Sequence, residues 1–203
     1  MILCHVILGG PHAAHHRRSI RLPDYDYSTP GAYFVTVCTH DRECLFGEVA
    51  DGGMVLNEYG KIVASCLQRI PTHFKHIQLD KYVVMPNHVH VILHIVGAKP
   101  WASPEYGRCV VVPGEAGQPF ASPLPNGTVS GSLGAVMQNF KSVSTRHINT
   151  LSHTPGLPVW QCNYYEHVIR DERDLTAIRG YMANNPARWL LDENHAGEGS
   201  VDR

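Results

Sequence analysis

No two of the six cysteines stand at C-x-x-C spacing. That removes a zinc knuckle, and scattered thiols in a chain of this length point to reduced cysteines in a cytosol rather than to a disulfide framework. Charge of one sign is also missing. A formal net charge of -1 and a pI near 6.9 give no overall attraction to nucleic acid, so any such contact must come from local clusters. No apolar run is long enough to span a bilayer, which argues against a membrane partner. The opening MILCHVILGG has neither a positive leading region nor a clear small-residue cleavage site, and reads as a loose extension rather than a signal peptide. No repeat of solenoid period is present. What is present, 203 residues with 43% hydrophobic and 17% charged, is enough for one domain with a buried core.

Three regions separate along the chain. Residues 1–31 form an N-terminal extension and basic arm, broken by Pro and Gly. Arg17, Arg18 and Arg21 in it can grip phosphate or simply face solvent; His12, His15 and His16 read as a solvated tract. The main domain covers 32–191, interrupted over 97–131 by a Pro-, Gly- and Ser-rich flexible insertion with a short strand at CVVVP, 109–113. A polar tail, 192–203, follows.

Within the main domain AYFVTVCTH is β-branched and aromatic, a strand. CLFGEVADGGMVL predicts two short strands turned at Asp51, Gly52 and Gly53. Asn57 caps a helix that runs to about Pro71. HIQLDKYVVMP and HVHVILHIV are strands joined at Pro86-Asn87. Ser132 opens a second helix, VWQCNYYEHVIR is a further strand, and Asp171 caps DLTAIRGYMANN. A short last helix, ARWLLDEN, follows Pro186. The order implies an α+β domain of split-βαβ kind, a mostly antiparallel sheet with helices over one face.

The chemistry centres on VVMPNHVHVIL, residues 83–93. On a half-buried strand His88 and His90 point to one face, roughly 6.6 Å apart along the chain, and Val89 and Val91 to the other. Two imidazoles so placed can share a divalent metal; His94 is on the same face as a third candidate. They can equally be ordinary histidines. In YMANNP, Tyr181 and Asn185 are four apart on one helical face, offering a phenol and an amide oxygen, or else a boundary tyrosine and a helix-ending Asn.

Taken together, VVMPNHVHVIL, FKSVSTRHIN, VWQCNYYEHVIR and YMANNPARW, with RRSIRLPDYDYSTPGAYFVTVCTHDRECLFGEV before them, resemble the REP-associated tyrosine transposases of the single-tyrosine HUH superfamily. The similarity runs in order over roughly residues 17 to 190. The resemblance implies a ferredoxin-like antiparallel sheet flanked by helices, of HUH nuclease type. It also implies a metal-dependent endonuclease and strand transferase that works through a 5′-phosphotyrosine. It maps the metal-binding histidines onto His88 and His90 and the nucleophile onto Tyr181. The insertion-sequence branch carries glutamine four residues beyond the tyrosine as third ligand; here that place is Asn185, one methylene shorter, binding directly or through water. Mg2+ or Mn2+ is the expected cofactor, and two imidazoles favour manganese in affinity.

The implied partner is single-stranded DNA folded as a REP-like palindromic hairpin, bound by a monomer or homodimer in a bacterial cytoplasm, at the nucleoid. Arg17, Arg18, Lys141, Arg146, Arg170, Arg173 and Arg179 are expected phosphate contacts or else solvated side chains; Trp160, Tyr164 and Tyr165 can stack on bases, with core packing the favoured role for Trp160. Two alternatives stay open here. Tyr164 or Tyr165 is a rival nucleophile, and the chain can be a hairpin-binding module without active transposition. A cupin-type barrel also uses H-x-H, but the interleaved helices and the lack of a glycine-rich second motif count against it.

Overall fold

The computed structural model describes residues 25–97, 129–192 and Asn194. Arg17, Arg18, Arg21, the histidine tract, the strand expected at 109–113, and most of the insertion and tail lie outside the described residues.

Among the described residues six strands and four helices follow in chain order: β1 (Gly31–Cys38), β2 (Gly47–Ala50), β3 (Gly53–Leu56), α1 (Glu58–Gln68), α2 (Ile70–His73), β4 (Ile77–Val84), β5 (His88–Ile95), α3 (Leu133–Ser152), β6 (Tyr165–Ile169) and α4 (Glu172–Asn184). Two 3-10 turns, His40–Arg42 and Pro186–Leu191, flank the site described below. The expected caps are made: the side chains of Asn57, Ser132 and Asp171 accept from the backbone N–H of Gly60, Ala135 and Asp174. The β2–β3 turn places Asp51 (φ 51°) and Gly52 (φ 72°) in the left-handed region that a tight hairpin requires. At Gly60 a Cβ would stand 2.2 Å from the carbonyl oxygen of Phe46, so only glycine lets α1 start this close to that backbone.

β4-β5-β1-β6 form one antiparallel sheet, and β2-β3 a separate hairpin. β1 and β4 thus run parallel with β5 between them, joined through α1; β5 and β6 are joined through α3 with β1 between them. Two interleaved split-βαβ units of this kind are the ferredoxin-like arrangement, an α+β fold.

Period-two alternation divides the side chains of the sheet. Tyr33, Val35 and Val37 of β1 and Val89, Val91, Leu93 and Ile95 of β5 enter a large core with residues of α1 and α3. Phe34 and Ile92 face the other way, into a smaller core with Ile169 and with Leu175, Ile178 and Met182 of α4. Helices therefore cover both faces of the sheet, where the sequence predicts one. An apolar stripe shows which side of a helix is buried but not which face of the sheet receives it. The strand expected from Val159 is shorter too: only Tyr165–Ile169 pairs with β1, and before it Trp160 makes a single bridge to Thr39.

Candidate active site

His88 and His90 lie on the α4 side of β5 at 0% and 2% exposure. The sequence predicts a half-buried strand; β5 is covered on both faces because α4 and the Pro186–Leu191 turn close over the histidines. Trp189 of that turn sits against the His88 ring, with centroids 5.9 Å apart, and Phe34 stacks on His90 at 5.2 Å.

The ring nitrogens are held by named partners. Asn87 Nδ2 donates to the carbonyl oxygens of Arg42 (3.1 Å) and Asn194 (2.7 Å). Its Oδ1 is thus the atom that meets His88 Nδ1, at 2.9 Å, and that nitrogen must carry the proton. The lone pair of His88 is left on Nε2. Arg42 offers its carbonyl from a turn in which Asp41 (φ 52°) and Arg42 (φ 58°) are both left-handed, a strained conformation for non-glycine residues. His90 Nδ1 bonds Thr36 Oγ1 at 2.7 Å, and the two Nε2 atoms stand 3.0 Å apart. Burial, opposed chiefly by the Asp192 charge, pushes His88 down to about 4. Burial, reinforced by His88, holds His90 well below its ordinary value. Both rings are neutral at pH 7, the form that binds metal.

Asp192 completes the cluster. One carboxylate oxygen of Asp192 and one nitrogen from each of His88 and His90 lie within 4.8 Å of one another. Asn185, 2% exposed, donates from Nδ2 to Asp192 Oδ2 at 2.7 Å, while its Oδ1 is buried with no hydrogen-bond partner among the described residues. Two neutral nitrogens, a carboxylate and an orphaned amide oxygen are a donor set that a divalent cation satisfies. The 3.0 Å between nitrogens also suits two adjacent positions on one ion, which metal–nitrogen bonds of about 2.1 Å place roughly 3 Å apart. Tyr181 reaches the same place from α4. Its Oη is 3.4 Å from His90 Nε2, and the side chain is 48% exposed, open to a large substrate.

The other expected residues fall elsewhere. His94 bonds Asp80 at 3.0 Å and is not in the cluster. Trp160 is buried, its ring between Phe46 and Phe140 and its Nε1 donating to Ser144 Oγ, so it is core and not a base-stacking platform. Lys141 donates to the carbonyl oxygens of Gln161 and Cys162, holding the loop before β6. Arg179 is paired with Asp80. Both residues, expected as phosphate contacts, are thus engaged within the chain. Arg146, Arg170 and Arg173 are exposed. Tyr164 packs against the large core on the far side of the sheet. Tyr165 shares a face with His90, but Thr36 of β1 stands between them in register, which puts it two strand spacings, roughly 9.5 Å, away.

Sequence reading misses Asp192. It follows the Trp189-Leu190-Leu191 run as the first acidic residue of the tail, and no spacing ties it to His88-x-His90. An acidic residue just beyond the Asn185-Pro186 pair is the one available signal.

No family model matches the chain. A protein of Haemophilus influenzae (strain ATCC 51907 / DSM 11121 / KW20 / Rd), described as uncharacterized, is 38% identical over 182 residues, 88% of this chain and 93% of that one. Among solved structures, a REP-associated tyrosine transposase bound to a REP hairpin is similar with 17% identity, covering 85% of this chain and 76% of that one, at a TM-score of 0.49. A candidate transposase from Deinococcus radiodurans R1 is similar with 18% identity over 81% and 95% of the two chains, at a TM-score of 0.41.

Proposed function

The chain belongs to the family of that Haemophilus influenzae protein, and we propose that it is a metal-dependent endonuclease and strand transferase. Its substrate in this reading is single-stranded DNA folded as a REP-like palindromic hairpin. The observation that carries the proposal is the 3.4 Å between Tyr181 Oη and His90 Nε2, a phenol beside a neutral imidazole pair within one subunit. The resemblance of residues 17 to 190 to REP-associated tyrosine transposases supports the choice of DNA as substrate.

His88, His90, Asp192 and Asn185 would hold Mg2+ or Mn2+. When bound, the ion polarises the scissile phosphate and offsets the charge that develops on its oxygens. Asn87 and Thr36 orient the two rings from behind, as partners of metal-binding histidines generally do. The exposed half of Tyr181 admits the strand. Its oxygen bonds to phosphorus, the bond to the 3′ oxygen breaks, and that oxygen leaves as a 3′-hydroxyl. The phenol proton is released to solvent, and a solvent proton completes the hydroxyl. The 5′-phosphotyrosine keeps one phosphoester bond for each one broken, so a 3′-hydroxyl from another strand can reverse the step.

The catalytic unit spans residues 32–191 with the first tail residue, Asp192, added to it. The arm 1–31 with Arg17 and Arg18, and the exposed Arg146 and Arg170, supply phosphate contacts. One copy of the chain holds all of these groups, so a monomer suffices for cleavage in the bacterial cytoplasm.

A 3′-end-labelled hairpin with single-stranded flanks tests this. The proposal expects nicking with Mn2+ or Mg2+, none with EDTA, and a labelled protein band on a denaturing gel. A hairpin bound but left intact in both metals would make the chain a binding module.

A further inference from the structure

α4 rests on the sheet through a short apolar stripe, Leu175, Ile178 and Met182, over Phe34, Ile92 and Ile169. Apolar contact is non-directional and sets neither the rotation nor the register of a helix closely. The placement of Tyr181 must therefore come from elsewhere. At the start of α4, His167 of β6 bonds Asp174 at 2.8 Å. Nearer the tyrosine, α4 is tied to the opposite edge strand. The register of β4 against β5 slips between Leu79 and Lys81, so Asp80 is an extra residue in the ladder. Such bulges re-aim a side chain. The Asp80 carboxylate accepts from Arg179 Nε at 3.1 Å, from Arg179 Nη2, and from His94 Nε2 at 3.0 Å. Lys81 Nζ donates to the carbonyl oxygen of Arg179 at 3.3 Å. A two-pronged Arg–carboxylate pair is directional where the apolar stripe is not.

Helix geometry couples this pair to the phenol. At about 100° per residue, Arg179 and Tyr181 flank the apolar stripe on opposite sides. Any turn of α4 about its axis that carries Arg179 away from β4 swings Tyr181 relative to His90.

We infer that Asp80 is a positioning residue for Tyr181: from the bulge of β4 it clamps Arg179 and so sets the rotation at which α4 presents the phenol to the imidazole pair. The inference rests on Tyr181 being the nucleophile. Asp80 is not a member of the His88–His90–Asp192 cluster, so its effect runs through the geometry of α4.

The test compares wild type, Asp80→Asn and the conservative Asp80→Glu as full chains. Three quantities are read: hairpin nicking under saturating DNA and Mn2+, affinity for the same hairpin, and hydrogen exchange of the α4 amides. Asp80→Asn is expected to lower the nicking rate about 100-fold, the scale of a roughly 1 Å misplacement. Hairpin affinity should stay within about twofold, and exchange over α4 should quicken about tenfold, the sign of a loosened local unit. Asp80→Glu should recover most of the rate. A nicking rate unchanged in Asp80→Asn, or one that falls only in step with hairpin affinity, overturns the inference. So does unchanged exchange over α4. If exchange quickens but wild type does not nick, the clamp stands and the proposed enzyme falls.

Discussion

The two sides of β5 divide the labour of the domain. Toward α1 and α3 it sends Val89, Val91, Leu93 and Ile95 into the large apolar core. Toward α4 it sends His88, His90, Ile92 and His94, where only Ile92 is apolar and the rest meet Asn87, Thr36 and Asp80. One side gives stability and the other, in the proposed function, chemistry, from residues alternating along eight positions. The chemical side is rigid because its backbone is the midline of the core on the other side, and a site on a stiff strand keeps its geometry. Changes on the two sides should therefore fail in different ways.

The largest separation is expected from the histidines. His88→Ala with His90→Ala should abolish nicking and Mn2+ binding while the domain still unfolds cooperatively near the wild-type temperature, measured by calorimetry and by manganese titration. Loss of the fold in this variant would break the division. The converse is Leu93→Ala, fully buried on the other side. It should cost about 2–5 kcal/mol of stability by denaturant unfolding. Nicking per folded molecule should stay close to wild type.

Acid should act chiefly on the histidine side. His88 has an ordinary value of 6.5 and a folded value of about 4. Above pH 6.5 both states are neutral and the buried ring costs nothing. As pH falls from 6.5 toward 4 the unfolded chain takes up a proton that the folded chain refuses, so stability drops through that window and levels off below it. His90, held lower by burial, carries the drop further down. A melting temperature followed from pH 7.5 to 4 without metal, in wild type and in His88→Gln, checks this: the slope between 6.5 and 4 should be smaller in the variant. The smallest effect belongs to a surface residue. Arg146→Ala should weaken hairpin binding only a few-fold and reduce the salt slope by about one, if it meets phosphate.

The division was partly written in the sequence. His88 and His90 could be paired from their two-residue spacing, because a strand fixes side-chain direction locally. Asn57, Ser132 and Asp171 could be read as caps for the same reason. What lay outside sequence reach depends on how separate pieces meet. Asp192 joins the histidines only because the chain after Asn185 turns back across the sheet. Asp80 reaches Arg179 only through a bulge that no local pattern announces. Core packing of Trp160 was the favoured reading and holds, whereas the bonds of Lys141 to two loop carbonyls had no local signal. The apolar stripe of α4 was plain in sequence, and the resemblance already set Tyr181 with the histidines; that the helix would close the second face of the sheet was not legible.

The most direct measurement is to trap the covalent product of the protein and hairpin DNA in Mn2+, digest it, and locate the modified residue by mass spectrometry. The account predicts a phosphonucleotide on the peptide containing Tyr181, absent when EDTA replaces the metal and absent in Tyr181→Phe. Modification at Tyr164 or Tyr165, or an adduct that forms equally well without metal, would contradict it.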